Sequence, residues 1–332
     1  MQGNSLSNKL ISFIIIGRNE GWKLTHCLES IFKSAISNLL SYYEVIYVDS
    51  QSTDDSIVRA NKFANIRIFL ITGKYNAAIG RNIGAKEAKG DFLFFLDGDM
   101  ELHPEFIKEA LRLHKKDLRF ISGQIEEQFY NENWEPIGEK LVFPQKKLNT
   151  FNLTNGGAFI IEKSLWQSVN GMRTKYQYSQ DIDLNYRLIR KGYQIYRSDK
   201  IYVKHHTIQY NYKTSFKREL FKFRKYLFKG LLIRDHLFNL RILKRNLRIN
   251  YSLYMLIISL FLSLLFSNMR FSVPYFCIVF FRSFSQYKRF KNVAMRGYFT
   301  FLLKYIYQDI TGIMGLLFFY PKNITVAYKI IK

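Results

Sequence analysis

Short apolar runs at Ile11–Ile16, Tyr43–Val48, Ile66–Ile71 and Phe92–Leu96 alternate with stretches whose apolar residues recur at helical spacing. This rhythm admits few folds. A β-branched or aromatic run that never switches to polar residues predicts a strand covered on both faces. The intervening segments predict helices over Gly21–Ser37, over Thr53–Phe63 with Ser52 or Thr53 as cap, and over roughly Ala77 to Ala88. Strand and helix in series predict an α/β domain with a mostly parallel sheet flanked by helices. Ligands in such sheets bind beyond the carboxyl ends of the strands. Asp49 falls at such an end, and so does the pair Asp97 and Asp99.

The pair closes the run D-F-L-F-F-L-D-G-D-M-E at 91–101. Two carboxylates flanking a glycine can offer oxygen ligands to a hard divalent cation, and the glycine lets a diphosphate approach the backbone. A bound Mg²⁺ or Mn²⁺ would offset pyrophosphate charge and stabilise it on departure. An ordinary Asp-Gly turn after a strand is the plain alternative.

Charge separates the chain into two textures. The formal net charge is +24, yet residues 201–332 hold 13 Lys and 10 Arg against one Glu and two Asp, a net of +20. That basic part is also the more apolar, with no charged residue from Ile249 to Met269 and none from Phe271 to Phe281. Basic and apolar together predict a membrane surface, where Lys and Arg meet anionic headgroups. A nucleic-acid partner is not expected, because an uncharged stretch of that length has no place in a soluble RNA-binding domain. Cys27 and Cys277 lack metal-like spacing, and no cleavable signal sequence opens the chain, so a cytoplasm-facing, reducing location is expected.

Five ordered motifs carry a resemblance. They are I-S-F-I-I-I-G-R-N-E at 11–20, E-V-I-Y-V-D-S-Q-S-T-D-D-S at 44–56, G-R-N-I-G-A-K-E-A-K-G-D-F-L-F-F-L-D-G-D at 80–99, N-G-G-A-F-I-I-E-K-S-L-W at 155–166 and Q-D-I-D-L-N-Y-R-L-I-R-K-G-Y at 180–193. Together, over about residues 10 to 210, they resemble the family 2 glycosyltransferases of the GT-A fold. The resemblance implies inverting transfer of a sugar from a nucleotide diphosphate donor, with UDP-sugars favoured. It implies donor contacts from Asn19, Glu20, Asp49, Arg81 and Asp97. Asp97 and Asp99 would face the metal, with Asp99 the direct ligand, and either His205 or His206 would add a further ligand. Asn155, Gly156, Gly157 and Asp183 would lie on the acceptor side, and Asp181 would be the base that withdraws the acceptor hydroxyl proton. Membrane-bound nucleotidyltransfer, or a degenerate domain that binds nucleotide sugar without turnover, are the alternatives.

Some residues depart from the pattern. Gln180 stands where the family usually has Glu, and Arg18 where many relatives carry an aromatic residue. A Q-x-x-R-W-type segment is absent, which favours single-sugar transfer over polymerisation. The expected division is therefore a catalytic domain over 1–213 and a basic, helical membrane-binding region over 214–332. Within the latter, Phe216 to Arg248 predicts an amphipathic helix, and 249–281 a transmembrane hairpin, a single crossing or interfacial helices. Gly297 to Tyr320 predicts another interfacial helix, or a buried one. Such an anchor would place the enzyme on the cytoplasmic leaflet, the inner face of the plasma membrane in a bacterium, and suggests a lipid-linked glycan as acceptor.

Overall fold

The computed structural model describes residues 10–38, 40, 42–155, 157–210, 223–289 and 295–332. The chain forms two compact units, one of residues 1–210 with 322–332, the other of residues 211–321.

The first unit opens with the alternation read from the sequence: β1 (Ile11–Gly17), α1 (Trp22–Ser37), β2 (Tyr43–Asp49), α2 (Ser56–Asn61), β3 (Arg67–Ile71), α3 (Ala77–Glu87) and β4 (Phe92–Asp97). Then come β5 (Met100–Leu102), α4 (Phe106–His114), β6 (Phe120–Tyr130), β7 (Pro136–Leu141), β8 (Thr150–Asn152), β9 (Phe159–Glu162), α5 (Lys163–Ser168), α6 (Gln180–Arg190) and β10 (Ile195–Ile208). β1 shows how the core divides. Phe13 and Ile15 pack on one face with Leu24, Leu28 and Ile31 of α1, while Ile14 and Ile16 pack on the other with Ile79 and Ile83 of α3.

The sheet is mixed rather than mostly parallel. β3, β2, β1 and β4 run parallel, as do β6 and β10, but β9 runs antiparallel between β4 and β6. A parallel return needs a crossover, usually a helix, and the described residues between β6 and β9 include no α-helix. The second helix is also shorter than Thr53–Phe63, because Ser52 and Thr53 are committed to loop contacts rather than to capping.

Two glycines set α3 on the sheet. A Cβ on Gly84 would lie 2.2 Å from Ile14 Cγ2, and one on Gly80 3.0 Å from Ile16 Cγ2. The helix therefore lies close enough to β1 to carry Arg81 to the strand ends.

The second unit contains α7 (Phe223–Asp235), α8 (Leu240–Ile249), α9 (Tyr251–Leu265), α10 (Val273–Arg289) and α11 (Met295–Leu317). The amphipathic helix expected from Phe216 is two helices, because Asn239 starts α8 by accepting from the Arg241 and Ile242 amides; residues 216–222 lie outside the described residues. The uncharged run after Ile249 is interrupted as well. At 1.5 Å per residue α9 spans about 22 Å, short of a hydrocarbon core of about 30 Å. It stops before Ser267, which takes a positive φ of 46°. Among the described residues no single helix is long and apolar enough to cross a membrane; only α8 with α9, bent by 89°, reach that length together. α11 buries Tyr298, Phe301, Tyr305 and Asp309 on one side and leaves Phe299, Leu303, Ile310 and Met314 exposed on the other. Gly230 on α7 meets Gly312 on α11, where an added Cβ would lie 2.1 Å from the Gly312 carbonyl oxygen.

The end of the chain departs from the expected division. β11 (Tyr328–Ile330) pairs antiparallel with β3, so residues 322–332 belong to the α/β unit and not to the helical one. The exposed edge of β3 supplies the unpaired backbone groups that draw it there.

Candidate active site

Register places the candidate acids side by side. Gly17 of β1 lies beside Asp49 of β2, and Ile16 beside Asp97 of β4, so three parallel strands deliver their carboxyl ends to one rim.

Asp49 is fully buried there. Its Oδ2 accepts from the Tyr47 hydroxyl at 2.7 Å and from Ser52 Oγ at 2.5 Å, and its Oδ1 from the Ser52 amide at 2.7 Å. Ser52 Oγ in turn accepts from the Asn19 amide at 2.9 Å, and Asn19 Oδ1 accepts from the Thr53 amide at 2.8 Å. The Glu20 and Gly21 amides both donate to Ser56 Oγ. Asp49 therefore ties the loop after β2 to the loop after β1. Its two oxygens are thus already engaged by its own strand and loop, next to the place where a nucleotide contact was expected. Beside these loops Arg18 lies over the ring of Tyr75 at 4.7 Å, an aromatic neighbour supplied from elsewhere in the chain.

Asp97 and Asp99 have different surroundings. Arg81, only 2% exposed, donates to Asp97 Oδ1 at 2.6 Å and to the Gly157 carbonyl at 3.3 Å. Arg81 is thus a buried partner of the first acid, with its Nε left without a hydrogen-bond partner. Burial raises the Asp97 carboxyl above its ordinary range, against the lowering charge of Arg81. Asp99 Oδ2 lies 3.3 Å from His205 Nε2, while its Oδ1 is buried with no hydrogen-bond partner. Burial opposes ionisation of Asp99, but the bond to His205 and its charge outweigh it and hold the carboxyl below its ordinary range. An orphaned carboxylate oxygen beside an imidazole fits a divalent cation. Glu20 stands close by, paired with Lys23 at 2.6 Å, and burial followed by the charge of Asp99 raises its carboxyl.

Successive residues on β10 separate the two histidines. His206 turns away from Asp99, bonding Glu101 Oε1 through Nε2 at 2.6 Å and the Tyr130 hydroxyl through Nδ1 at 2.8 Å. Glu101 went unremarked in the sequence, although its place two residues past Asp99 was visible there. His26, whose Nδ1 lies 3.4 Å from Glu101, is 75 residues away in the chain and gave no local signal.

Asp181 and Asp183 occupy the first turn of α6, as the motif predicted. Asp181 lies near enough to Asp97 for its charge to raise that carboxyl. Asp183 faces inward and is fully buried, gripped by Arg173 and by Arg187 at 2.9 Å. The two guanidiniums make it a clamp for α6 within the segment expected on the acceptor side. Gln180, which replaces the usual Glu, buries its Oε1 without a hydrogen-bond partner. Asn155 is 6% exposed and accepts from the Gly157 amide at 3.3 Å. Gly157 takes a φ of 93°, and a Cβ there would lie 3.7 Å from Asp97 Oδ2, so this segment backs directly onto the donor-side acid. Gly156 lies outside the described residues.

Residues 12–170 match the family described as glycosyl transferase family 2. The chain is 26% identical to the dolichyl N-acetyl-alpha-D-glucosaminyl phosphate 3-beta-D-2,3-diacetamido-2,3-dideoxy-beta-D-glucuronosyltransferase of Methanococcus voltae, over 69% of this chain and 76% of that one. It is 28% identical to the UDP-Glc:alpha-D-GlcNAc-diphosphoundecaprenol beta-1,3-glucosyltransferase WfgD of Escherichia coli, over 42% of this chain and 54% of that one. Among solved structures, Staphylococcus aureus TarS 1-349 in complex with UDP-GlcNAc aligns with a TM-score of 0.48 and 18% identity, covering 69% of this chain and 71% of that one. Coverage of the curated relatives' own lengths ranges from 29% to 76%.

Proposed function

We propose that the α/β unit, whose residues 12–170 match glycosyl transferase family 2, moves a sugar, with inversion, from a nucleotide diphosphate donor to a hydroxyl of a lipid-linked glycan. The observation that carries this reading is Asp99 at the sheet rim, one carboxylate oxygen facing His205 and the other buried and unpartnered. Asp99 and His205 would hold Mg²⁺ or Mn²⁺, which when bound supplies positive charge to the departing diphosphate. Asp97 is fixed by Arg81 beside that position and lines the donor pocket. Glu20 and the loop after β1 border it from the side of α1.

Asp181 is the proposed base. Its place in the first turn of α6 favours the ionised carboxylate, so its effect as a base depends on alignment with the acceptor hydroxyl. The E. coli relative is named for a UDP-glucose donor and a diphosphoundecaprenol-linked acceptor, and the M. voltae relative for a dolichyl phosphate-linked one. The E. coli name supports a UDP-sugar here, and both names support a polyprenyl carrier.

The helical unit supports a membrane partner. Arg241, Lys244, Arg245 and Arg248 lie along α8, and Phe261, Leu264, Phe266 and Phe281 are among the exposed apolar side chains that follow. Basic and apolar surfaces of that kind suit the cytoplasmic leaflet. Purified protein incubated with labelled UDP-sugars and polyprenyl-phosphate or -diphosphate glycans in vesicles tests the reading. Label is expected on the lipid in the presence of Mg²⁺ or Mn²⁺ and absent for Asp181→Asn. Label on soluble acceptors alone would remove the lipid acceptor, and no label on anything would remove the transferase.

A further inference from the structure

Beside the donor pocket, but facing away from it, three potential metal-ligating side chains converge from three elements. His26 comes from α1, Glu101 from β5 and His206 from β10, and one ligand atom of each lies within 4.8 Å of the others. His206 Nε2 is 2.6 Å and His26 Nδ1 3.4 Å from the same oxygen, Glu101 Oε1. We infer that His26, Glu101 and His206 form a second divalent-cation site, of the zinc type, with one coordination position left to solvent.

Four features carry the inference. First, two imidazoles and one carboxylate are the donor set of three-ligand zinc sites, which bind at about 2.0–2.2 Å and keep a fourth position for water. Donors at that bond length stand about 3.4 Å apart around a tetrahedral ion, so His206 and Glu101 would part from their 2.6 Å hydrogen bond as His26 closes in, and His26 can move because about half of its side chain is exposed. Second, His206 is 4% exposed and its other ring nitrogen already bonds the Tyr130 hydroxyl at 2.8 Å. A fixed partner on the far nitrogen is what orients a metal-bound imidazole. Third, the Trp22 ring packs edge-on against both imidazoles, at 5.1 Å from His26 and 5.3 Å from His206, and Trp134 backs it at 5.6 Å. One aromatic wall thus backs both ligands, while the outer part of His26 stays open to solvent. Fourth, a cleft of about 270 Å³ lined by His26, Glu29, Ser30 and Glu101 gives an ion an entry and room for its water.

The donor chemistry separates this site from the one at Asp99. Imidazole-rich sets favour zinc and its neighbours, whereas carboxylate and phosphate oxygens favour magnesium and manganese. The position also suggests a purpose. Glu101 is two residues beyond Asp99, so an ion shared with His26 and His206 would pin the short β5 segment to α1 and β10 and hold Asp99 at the rim. The inference does not rest on the proposed transfer reaction.

The test uses the full chain, stripped with chelator and titrated with Co²⁺, whose binding quenches nearby tryptophan fluorescence, with Zn²⁺ as competitor. Wild type and Asp99→Asn are expected to bind one Zn²⁺-displaceable Co²⁺ with similar affinity. His26→Ala, at a partly exposed position that the fold tolerates, should weaken that binding tenfold or more, and Glu101→Gln should do the same. The inference is overturned if wild type shows no Zn²⁺-displaceable quenching, if His26→Ala binds as tightly as wild type, or if binding disappears in Asp99→Asn and persists in His26→Ala.

Discussion

Arg81 donates to Asp97 Oδ1 at 2.6 Å from a position that is 2% exposed, so the first acid of the D-G-D triplet is neutralised from within the protein. The second acid pairs with His205 through one oxygen, feels the charge of Lys23 on α1, and buries its other oxygen without a hydrogen-bond partner, so the two carboxylates differ in surroundings despite their symmetry in sequence.

This asymmetry predicts different phenotypes for the two acids. Asp99→Asn should abolish the rise in Tm that UDP produces only in the presence of Mg²⁺ or Mn²⁺, because ligand-linked stabilisation follows the affinity that the metal supplies. Asp97→Asn should retain much of that metal-dependent rise and lose turnover, since it releases Arg81 without removing the cation's anchor. Thermal shift and initial rates on the same preparations separate the two. Equal loss of metal-dependent stabilisation in both variants would contradict the division.

Asp49 should behave as a structural residue. Its carboxylate accepts three hydrogen bonds in a fully buried setting, and an amide in its place would present a donor to groups that already donate. Asp49→Asn is expected to cost about 1–3 kcal/mol of stability, read as a lower urea midpoint, with nucleotide affinity of the folded fraction changed only a few-fold. A large loss of affinity at an unchanged midpoint would restore the direct-contact role.

Much of this was legible in the sequence, and the losses have physical causes. The strands β1 to β4 were readable because each is an apolar run buried on both faces, and the acids at their ends follow from where α/β sheets bind ligands. The antiparallel insertion of β9 was not readable, since strand direction is set by what the chain does between strands and not by the strand's composition. Motifs marked Asp49 and Asp183 because they report position along the chain. They say nothing of whether Ser52 or Arg173 will fold back onto the carboxylate. The uncharged run from Ile249 to Met269 hid the end of its helix, because hydropathy averages over Ser267, whose positive φ ends it.

Gly84 offers a test of how the sheet aims Arg81. A methyl group there would lie 2.2 Å from Ile14 Cγ2, in a core with no room for it. Gly84→Ala should destabilise the protein by about 1–3 kcal/mol through overpacking. By shifting α3 it should also lower kcat/KM more than an equally destabilising core change remote from Arg81. Chemical denaturation and steady-state kinetics measure the two effects, and an alanine variant with wild-type stability would show that α3 does not need this close approach.

The last prediction concerns the far end of the chain. β11 covers the edge of β3, the Tyr328 hydroxyl donates to Glu87 at 2.6 Å, and Lys332 Nζ donates to the Phe63 carbonyl at 2.6 Å. Thr174 and Ile324 exchange two further bonds, Thr174 Oγ1 donating to the Ile324 carbonyl at 2.9 Å and the Ile324 amide returning to Oγ1 at 2.8 Å. Deleting residues 322–332 would leave the β3 edge unpaired and remove these anchors, although it touches none of the family motifs. An uncovered edge strand is a template for pairing with other chains. The truncated protein is therefore expected to have a lower Tm and to form soluble oligomers in light scattering, while Tyr328→Phe, which removes a single bond, should cost only about 0.5–1.5 kcal/mol. If the truncated chain melted with the full-length one and stayed dispersed, the terminal strand would be an ornament of the sheet rather than part of its stability.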